Sequence, residues 1–165
     1  MARFDPDAML RILADHSVQY VLIGGLAATL HGSPLRTGDA DICPSRRGEN
    51  LTRLAAALRT MDARIRSPDA PAGLPFACDA SFFRNVELVN LTTQFGDLDV
   101  AFVPAGTAGY DDLNTNVVEY DLGGLVVPVA ALADIIRSKE SANRPRDRAA
   151  LPTLRALLAR QPKKT

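Results

Sequence analysis

The sequence predicts a mixed α+β domain, a small mixed sheet flanked by helices with a helical C-terminal end. Three observations carry this. Apolar segments with helical and strand-like spacing alternate over the first 60 residues. The later strand-like segments adjoin through short turns, Gln94-Phe95-Gly96 and Gly123-Gly124, rather than through helical crossovers, which argues against a doubly wound parallel sheet. From Ala130 onward the pattern is helical.

In chain order, Phe4-Asp5-Pro6 reads as a helix start, with Asp5 as N-cap, Pro6 at the first helical position and Phe4 with Met9 as a hydrophobic staple. This helix runs to about His16. Gln19 to Ile23 is a short buried strand ended by Gly24-Gly25, and Leu26 to His31 is a turn or two of helix broken at Gly32-Ser33-Pro34. Ala40 to Cys43 is a brief strand that Pro44 ends early. A helix from about Gly48 to Thr60 presents Leu51, Leu54 and Leu58 on one face. Residues 67–80, with three prolines and a glycine, form the most loop-like segment. Val86 to Thr92 and Leu98 to Val103 are strands, Gly109 to Asn114 a helical turn, and Val117 to Tyr120 with Leu125 to Val129 a hairpin. Pro145 opens a last helix that Pro152 kinks or splits. Residues 1–129 are expected to form the core and 130–165 a helical segment packed on it.

Composition sets the function classes. Nineteen basic residues balance nineteen acidic ones, so the chain as a whole is no electrostatic nucleic-acid binder. The stretch from Arg137 to Lys164 is locally basic, which fits either a binding face or a solvated helical surface. No apolar run reaches the ~18 residues needed to span a bilayer. The N-terminus lacks a signal-peptide pattern, and Cys43 and Cys78 make neither a disulfide framework nor a metal-ligand pair. The expectation is a cytoplasmic protein without a membrane partner.

The chemistry concentrates in acids. On an extended strand, residues i and i+2 point to the same side, so Asp39 and Asp41 project together, ~6.5–7 Å apart at the backbone. Two such carboxylates repel unless a cation lies between them, and Mg²⁺ is commonly held by carboxylates together with substrate phosphates. Asp99 interrupts an otherwise apolar strand, and a carboxylate there needs a partner, a metal or a wet strand face. Asp97, directly after Gly96, reads as a turn or strand-opening residue. Three carboxylates from two neighbouring strands can hold two cations ~3.5–4 Å apart, the arrangement that suits in-line phosphoryl or nucleotidyl transfer. Gly24-Gly25 lets backbone amides approach a phosphate, or is simply a tight turn; no Walker A lysine follows. Arg36 and Thr37 could add a phosphate contact and a hydroxyl, whereas His31 reads as a helix-end residue rather than a catalyst. Lys139 continues the stripe of Leu132, Ile135 and Ile136, either snorkelling past the core edge or reaching toward phosphates. Asp147 lies toward the buried side of its helix. It either pairs with Lys139 or Arg144 and orients them, or is a helix-start acid favoured by the dipole.

Gly24-Gly25, a short helix, Arg36-x-x-Asp39-x-Asp41 and the later Asp99 together resemble the nucleotidyltransferase superfamily typified by DNA polymerase beta. The match looks closest to the small bacterial members, the minimal nucleotidyltransferases and the AbiEii-type toxins. "ALADIIRSKESANRPRDRAALPTL" is similar to the tail of that group, whose helices carry a lysine and an R-x-x-D element. The resemblance implies transfer of a nucleoside monophosphate from an NTP such as ATP to an acceptor, with pyrophosphate released. It implies that Asp39, Asp41 and Asp99 hold Mg²⁺ or Mn²⁺, two ions, with Asp99 also positioning or serving as the base. Gly24 and Gly25 would cradle phosphates that Arg36, Lys139 and Arg144 neutralise, with Thr37 alongside and Asp147 in support. The implied acceptor is a tRNA 3′ end or a protein side chain, and a cognate antitoxin is an implied partner. The chain is shorter than the larger toxins and shows no basic-aromatic tract for stacking single-stranded RNA. Two rivals remain, a degenerate nucleotidyltransferase-fold binding module working with a partner protein, and a metal-dependent phosphohydrolase.

Overall fold

The structure, a computed structural model, describes residues 2–162. Its fifteen elements are α1 (Pro6–Asp15), β1 (Tyr20–Ile23), α2 (Gly24–Leu30), β2 (Asp39–Pro44), α3 (Asn50–Thr60), β3 (Arg64–Ser67), β4 (Ala70–Leu74), α4 (Ala80–Arg84), β5 (Leu88–Thr93), β6 (Gly96–Ala101), α5 (Tyr110–Asn114), β7 (Val118–Asp121), β8 (Val126–Val129), α6 (Leu132–Ala142) and α7 (Pro145–Arg160). The strands form one mixed sheet in the order β4-β3-β5-β6-β2-β1-β8-β7. The expected α+β class, with helices flanking a mixed sheet, is what the chain adopts.

α1 starts as its sequence dictates. The Asp5 carboxylate accepts from the Ala8 amide at 3.1 Å, Pro6 occupies the first turn, and Met9 is wholly buried. The strands that matter for the site are β1, β2 and β6. β1 runs antiparallel to β2, pairing Ile23 with Asp41 and Tyr20 with Pro44, and β2 runs parallel to β6. Along β2 and β6 the even-numbered residues Ala40, Ile42, Leu98 and Val100 are buried in one core with Met9, Leu13, Leu54 and Leu58. That anchoring turns the odd-numbered residues to the opposite face. The far ends of β1 and β2 are locked by Asn50, which is fully buried. Its amide accepts from the Gln19 N–H at 2.7 Å and donates to the carbonyls of Gln19 and Ser45 at 2.8 and 2.7 Å.

Several local expectations are corrected. Gly24 and Gly25 do not form a turn ahead of a helix but are its first residues. β2 is six residues long, and Pro44, far from cutting it short, pairs with Tyr20 as its last member. Residues 67–80 are not mainly loop. β3 and β4 form a hairpin at the edge of the sheet, and Asp79 caps α4 by accepting from the Phe82 amide at 2.9 Å. Pro71 is tolerated because β4 is the outermost strand, where no further neighbour needs its missing N–H. Gly73 is required there. It has φ +80, and a Cβ on it would lie 2.6 Å from the Cβ of Arg64. Pro152 does not split α7, which runs through it to Arg160. The final residues of the expected C-terminal segment, 163–165, lie outside the described residues, and with them Lys163 and Lys164 of the basic stretch.

Candidate active site

The parallel register of β2 and β6 places Asp39 opposite Asp97 and Asp41 opposite Asp99. Because all four are odd-numbered, their side chains stand on the face away from the core. Asp39, Asp41 and Asp99 each offer a carboxylate oxygen, and these atoms lie within 4.8 Å of one another. Like charges at this spacing penalise full ionisation. Burial, then the charges of Asp39 and Asp99, push the Asp41 carboxyl up to about 7, with Arg146 opposing the rise. Burial also raises Asp99, while the guanidinium of Arg66 works against that rise.

The glycine pair adjoins the acids. Ile23 pairs with Asp41, so the chain leaves β1 directly beside the Asp41 carboxylate. Gly24 has φ +71, and a Cβ on it would sit 2.5 Å from Asp41 Oδ2; one on Gly25 would sit 3.0 Å from Thr37 Oγ1. Only glycine permits this approach of backbone to carboxylate. The Thr37 hydroxyl donates to the Asp39 carbonyl at 3.1 Å and lies 3.4 Å from Asp39 Oδ1, fixing the start of β2. Arg36 is exposed and lines the same cavity.

α6 and α7 supply the facing wall. Asp147 is completely buried, and its carboxylate accepts from the Arg144 side chain at 2.7 and 3.2 Å and from the Arg144 amide at 3.0 Å. Lys139 Nζ lies 3.6 Å from it. Burial disfavours the charge on Asp147, but the hydrogen bonds and charge of Arg144, reinforced by Lys139, prevail and lower its pKa. Both sequence readings of Asp147 therefore describe one residue, since the acid in the first turn of α7 is also the partner of Lys139 and Arg144.

These residues line a cavity of about 1140 Å³ that also takes in Asn90, Arg66 and Arg146, none of which sequence reasoning singled out. Arg66 reaches from β3 over β5 to β6. Its Nη2 donates to Asp99 Oδ1 at 2.9 Å and to the Leu91 carbonyl at 2.8 Å, while Nε lies 3.3 Å from Asp97 Oδ2. Asp97, read as a turn or strand-opening residue, is thus a strand residue paired with this arginine. The alternation Arg64-Ile65-Arg66 is a strand signal, but it adjoins the proline-rich segment that masks it. Among the described residues no aromatic side chain lines the cavity, and the exposed apolar residues Leu35, Leu88 and Val103 do. His31 stands apart from the chemistry. Its Nε2 donates to the Ala130 carbonyl at 2.8 Å and Nδ1 lies 2.9 Å from the Tyr120 hydroxyl, so it ties α2 to the β7–β8 hairpin.

The donor set suits a hard divalent cation. It is all carboxylate oxygen, drawn from two adjacent strands, and its central member is pushed toward protonation by burial first and then by the neighbouring charges that a cation would relieve. No helix among the described residues is long and apolar enough to cross a membrane.

No protein-family model matches the chain, and no curated protein sequence matches it. Solved structures do. A Thermotoga maritima protein, TM1012, described as a candidate nucleotidyltransferase, is 16% identical with a TM-score of 0.54 and covers 97% of this chain and 98% of its own. The lincosamide antibiotic adenylyltransferase LnuA, solved with lincomycin bound, is 13% identical with a TM-score of 0.62 over 92% of this chain and 95% of its own. The antibiotic-resistance factor ANT(2'')-Ia is 15% identical with a TM-score of 0.56, over 93% of this chain and 80% of its own. At these identities the likeness shows a shared fold, that of nucleotidyltransferases, and does not single out the AbiEii-type toxins among them.

Proposed function

We propose that the protein is a metal-dependent nucleotidyltransferase that moves a nucleoside monophosphate from an NTP to an acceptor hydroxyl. The observation that carries this is the convergence of Asp39, Asp41 and Asp99 within 4.8 Å, beside a glycine pair whose first member admits no Cβ. Asp39, Asp41 and Asp99 would hold the cations, Mg²⁺ or Mn²⁺ and two in number. Bound there, they would neutralise the triphosphate and the charge that develops on it. The Gly24 and Gly25 backbone leaves room for phosphate oxygens, and Arg36 and Lys139 add positive charge, with Thr37 lining the same side. Asp147, buried and paired with Arg144, would hold Lys139 in place across the cavity.

In the reaction the acceptor oxygen attacks the α-phosphorus, the bond from that phosphorus to the β-bridging oxygen breaks, and pyrophosphate leaves. Asp99 takes or directs the hydroxyl proton. Burial raises its pKa toward a value that can take a proton, and the neighbouring Arg66 limits that rise.

For the acceptor, the absence of aromatic side chains from the cavity disfavours a stacked RNA base, and the exposed Leu35, Leu88 and Val103 favour a small molecule with an apolar face. The likeness to LnuA, which binds lincomycin in a chain of matching extent, supports the same choice. A tRNA 3′ end or a protein side chain remains the acceptor implied by the toxin resemblance, with a cognate antitoxin as partner. The test is to incubate each of the four NTPs, α-labelled, with Mg²⁺ and three acceptor pools: hydroxylated small molecules, total tRNA and cell protein. Label should move to one pool, and Asp39→Ala or Asp41→Ala should abolish it. Release of phosphate without a labelled acceptor would point instead to a phosphohydrolase.

A further inference from the structure

Among the described residues, Arg66 is the only cation in direct contact with the acid triad. Lys139 and Arg144 on the facing wall are both paired with Asp147. Arg66 is also held from outside the triad, because the nitrogen that binds Asp99 binds the Leu91 carbonyl as well and its Nε lies 3.3 Å from Asp97 Oδ2. Its charge is therefore fixed at the edge of the cluster by backbone, not borrowed from a wandering surface chain.

A guanidinium fixed on a metal-ligating carboxylate repels any second cation that approaches the same cluster. The opposing needs are clear from the geometry. Three carboxylates within 4.8 Å would capture a bare divalent ion avidly, and a site already filled by free metal must then admit a triphosphate that arrives with its own. We propose that Arg66 is the resident counter-ion of the triad and sets the order of loading: it weakens capture of a bare divalent cation, so that the cluster fills with the cation the nucleotide brings. This rests on the nucleotidyltransferase reading above.

The effect has a sign that ordinary damage to a site would not produce. Removing Arg66 should tighten metal binding while it impairs turnover. A divalent ion a few ångströms from a unit positive charge is opposed even at the dielectric of water, so the tightening should be on the order of tenfold or more.

The experiment is titration of Mn²⁺ alone into the nucleotide-free protein, followed by calorimetry, for the wild type, Arg66→Met and Arg66→Lys. Arg66→Met should bind Mn²⁺ at least about tenfold more tightly than the wild type, and Arg66→Lys should stay near the wild type. Asp99→Asn in the Arg66→Met background should cancel most of the gain. Circular dichroism melts confirm that each variant is folded, and Arg66→Gln replaces Arg66→Met if the latter is not. Equal or weaker Mn²⁺ binding by the folded variants overturns the counter-ion role while leaving the transfer reading intact. Absence of Mn²⁺ binding by wild type and variants alike, at millimolar metal, overturns both.

Discussion

Asp41→Asn should make the metal-free protein more stable while destroying its activity. Asp41 is pushed from the ordinary carboxylate value of 3.8 to about 7, by burial first and by Asp39 and Asp99 next. For an acid raised on folding, the native state holds the proton that the unfolded chain releases. Stability is then lost as pH rises from about 4, and the loss is complete just above 7. At about 1.4 kcal/mol per tenfold, the ionised Asp41 costs the folded state up to roughly 4 kcal/mol. The amide recovers only part of this, since it too must find hydrogen bonds, and a gain of about 1–3 kcal/mol is expected at pH 8. For a chain of this length that raises Tm by roughly 3–10 °C. The assay is a set of thermal melts of both proteins from pH 4 to pH 8, with chelator and then with saturating Mg²⁺. The difference should vanish near pH 4, grow toward pH 8, and shrink or invert with Mg²⁺, which stabilises only the protein that binds it. A gain of equal size at pH 4, or none at pH 8, would refute the claim that an ionised, buried and crowded Asp41 carboxylate strains the fold.

Gly24→Ala should lose activity and about 1–3 kcal/mol of stability, because the new Cβ meets Asp41 Oδ2 at 2.5 Å from a backbone with positive φ; chemical denaturation and the transfer assay read the two losses. Asp147→Asn should destabilise by about 1–3 kcal/mol, since it removes the buried anion that accepts from Arg144, itself half-exposed and so able to turn to water, and leaves Lys139 without its neighbour. In the wild type the same residue acts in acid. Its lowered pKa means that its contribution is present above the ordinary carboxylate range and is lost as pH falls through the lowered value, which acid titration of stability would show. Lys139→Ala should raise the KM for NTP more than it lowers kcat, as steady-state kinetics would resolve. Asn50→Leu should cost about 1–3 kcal/mol, because the Gln19 N–H and the Ser45 carbonyl lose their partner, while the Gln19 carbonyl keeps the Ser45 N–H.

What the sequence discloses about this site follows from the range over which each physical rule acts. Asp39 and Asp41 are legible because strand alternation is local, and Asp99 because an acid among apolar neighbours is conspicuous within a few residues. Asp5-Pro6 announces α1 for the same reason. Arg66 is not legible, since its relevance depends on a strand two places away in the sheet and on a reach across β5. The β3–β4 hairpin hides behind its prolines, which signal a loop unless the strand is known to be outermost. Pro44 misleads for a related reason, since a strand's last residue need not donate. The burial of Asp147 is likewise a property of packing, because a first-turn acid reads the same in sequence whether water or protein surrounds it.

The position of β2 and β6 in the sheet has a bearing on how this protein can change. They are the fifth and fourth of eight strands, paired on both sides, so their amides should be among the last to exchange with solvent. The cavity's outer contributors, Arg66 near the free edge and the α6–α7 wall, belong to elements that can be rebuilt without touching that ladder. On the transfer reading, a lineage could thus redraw which acceptor the cavity takes by altering the border of the sheet, while the acids stay fixed at its centre.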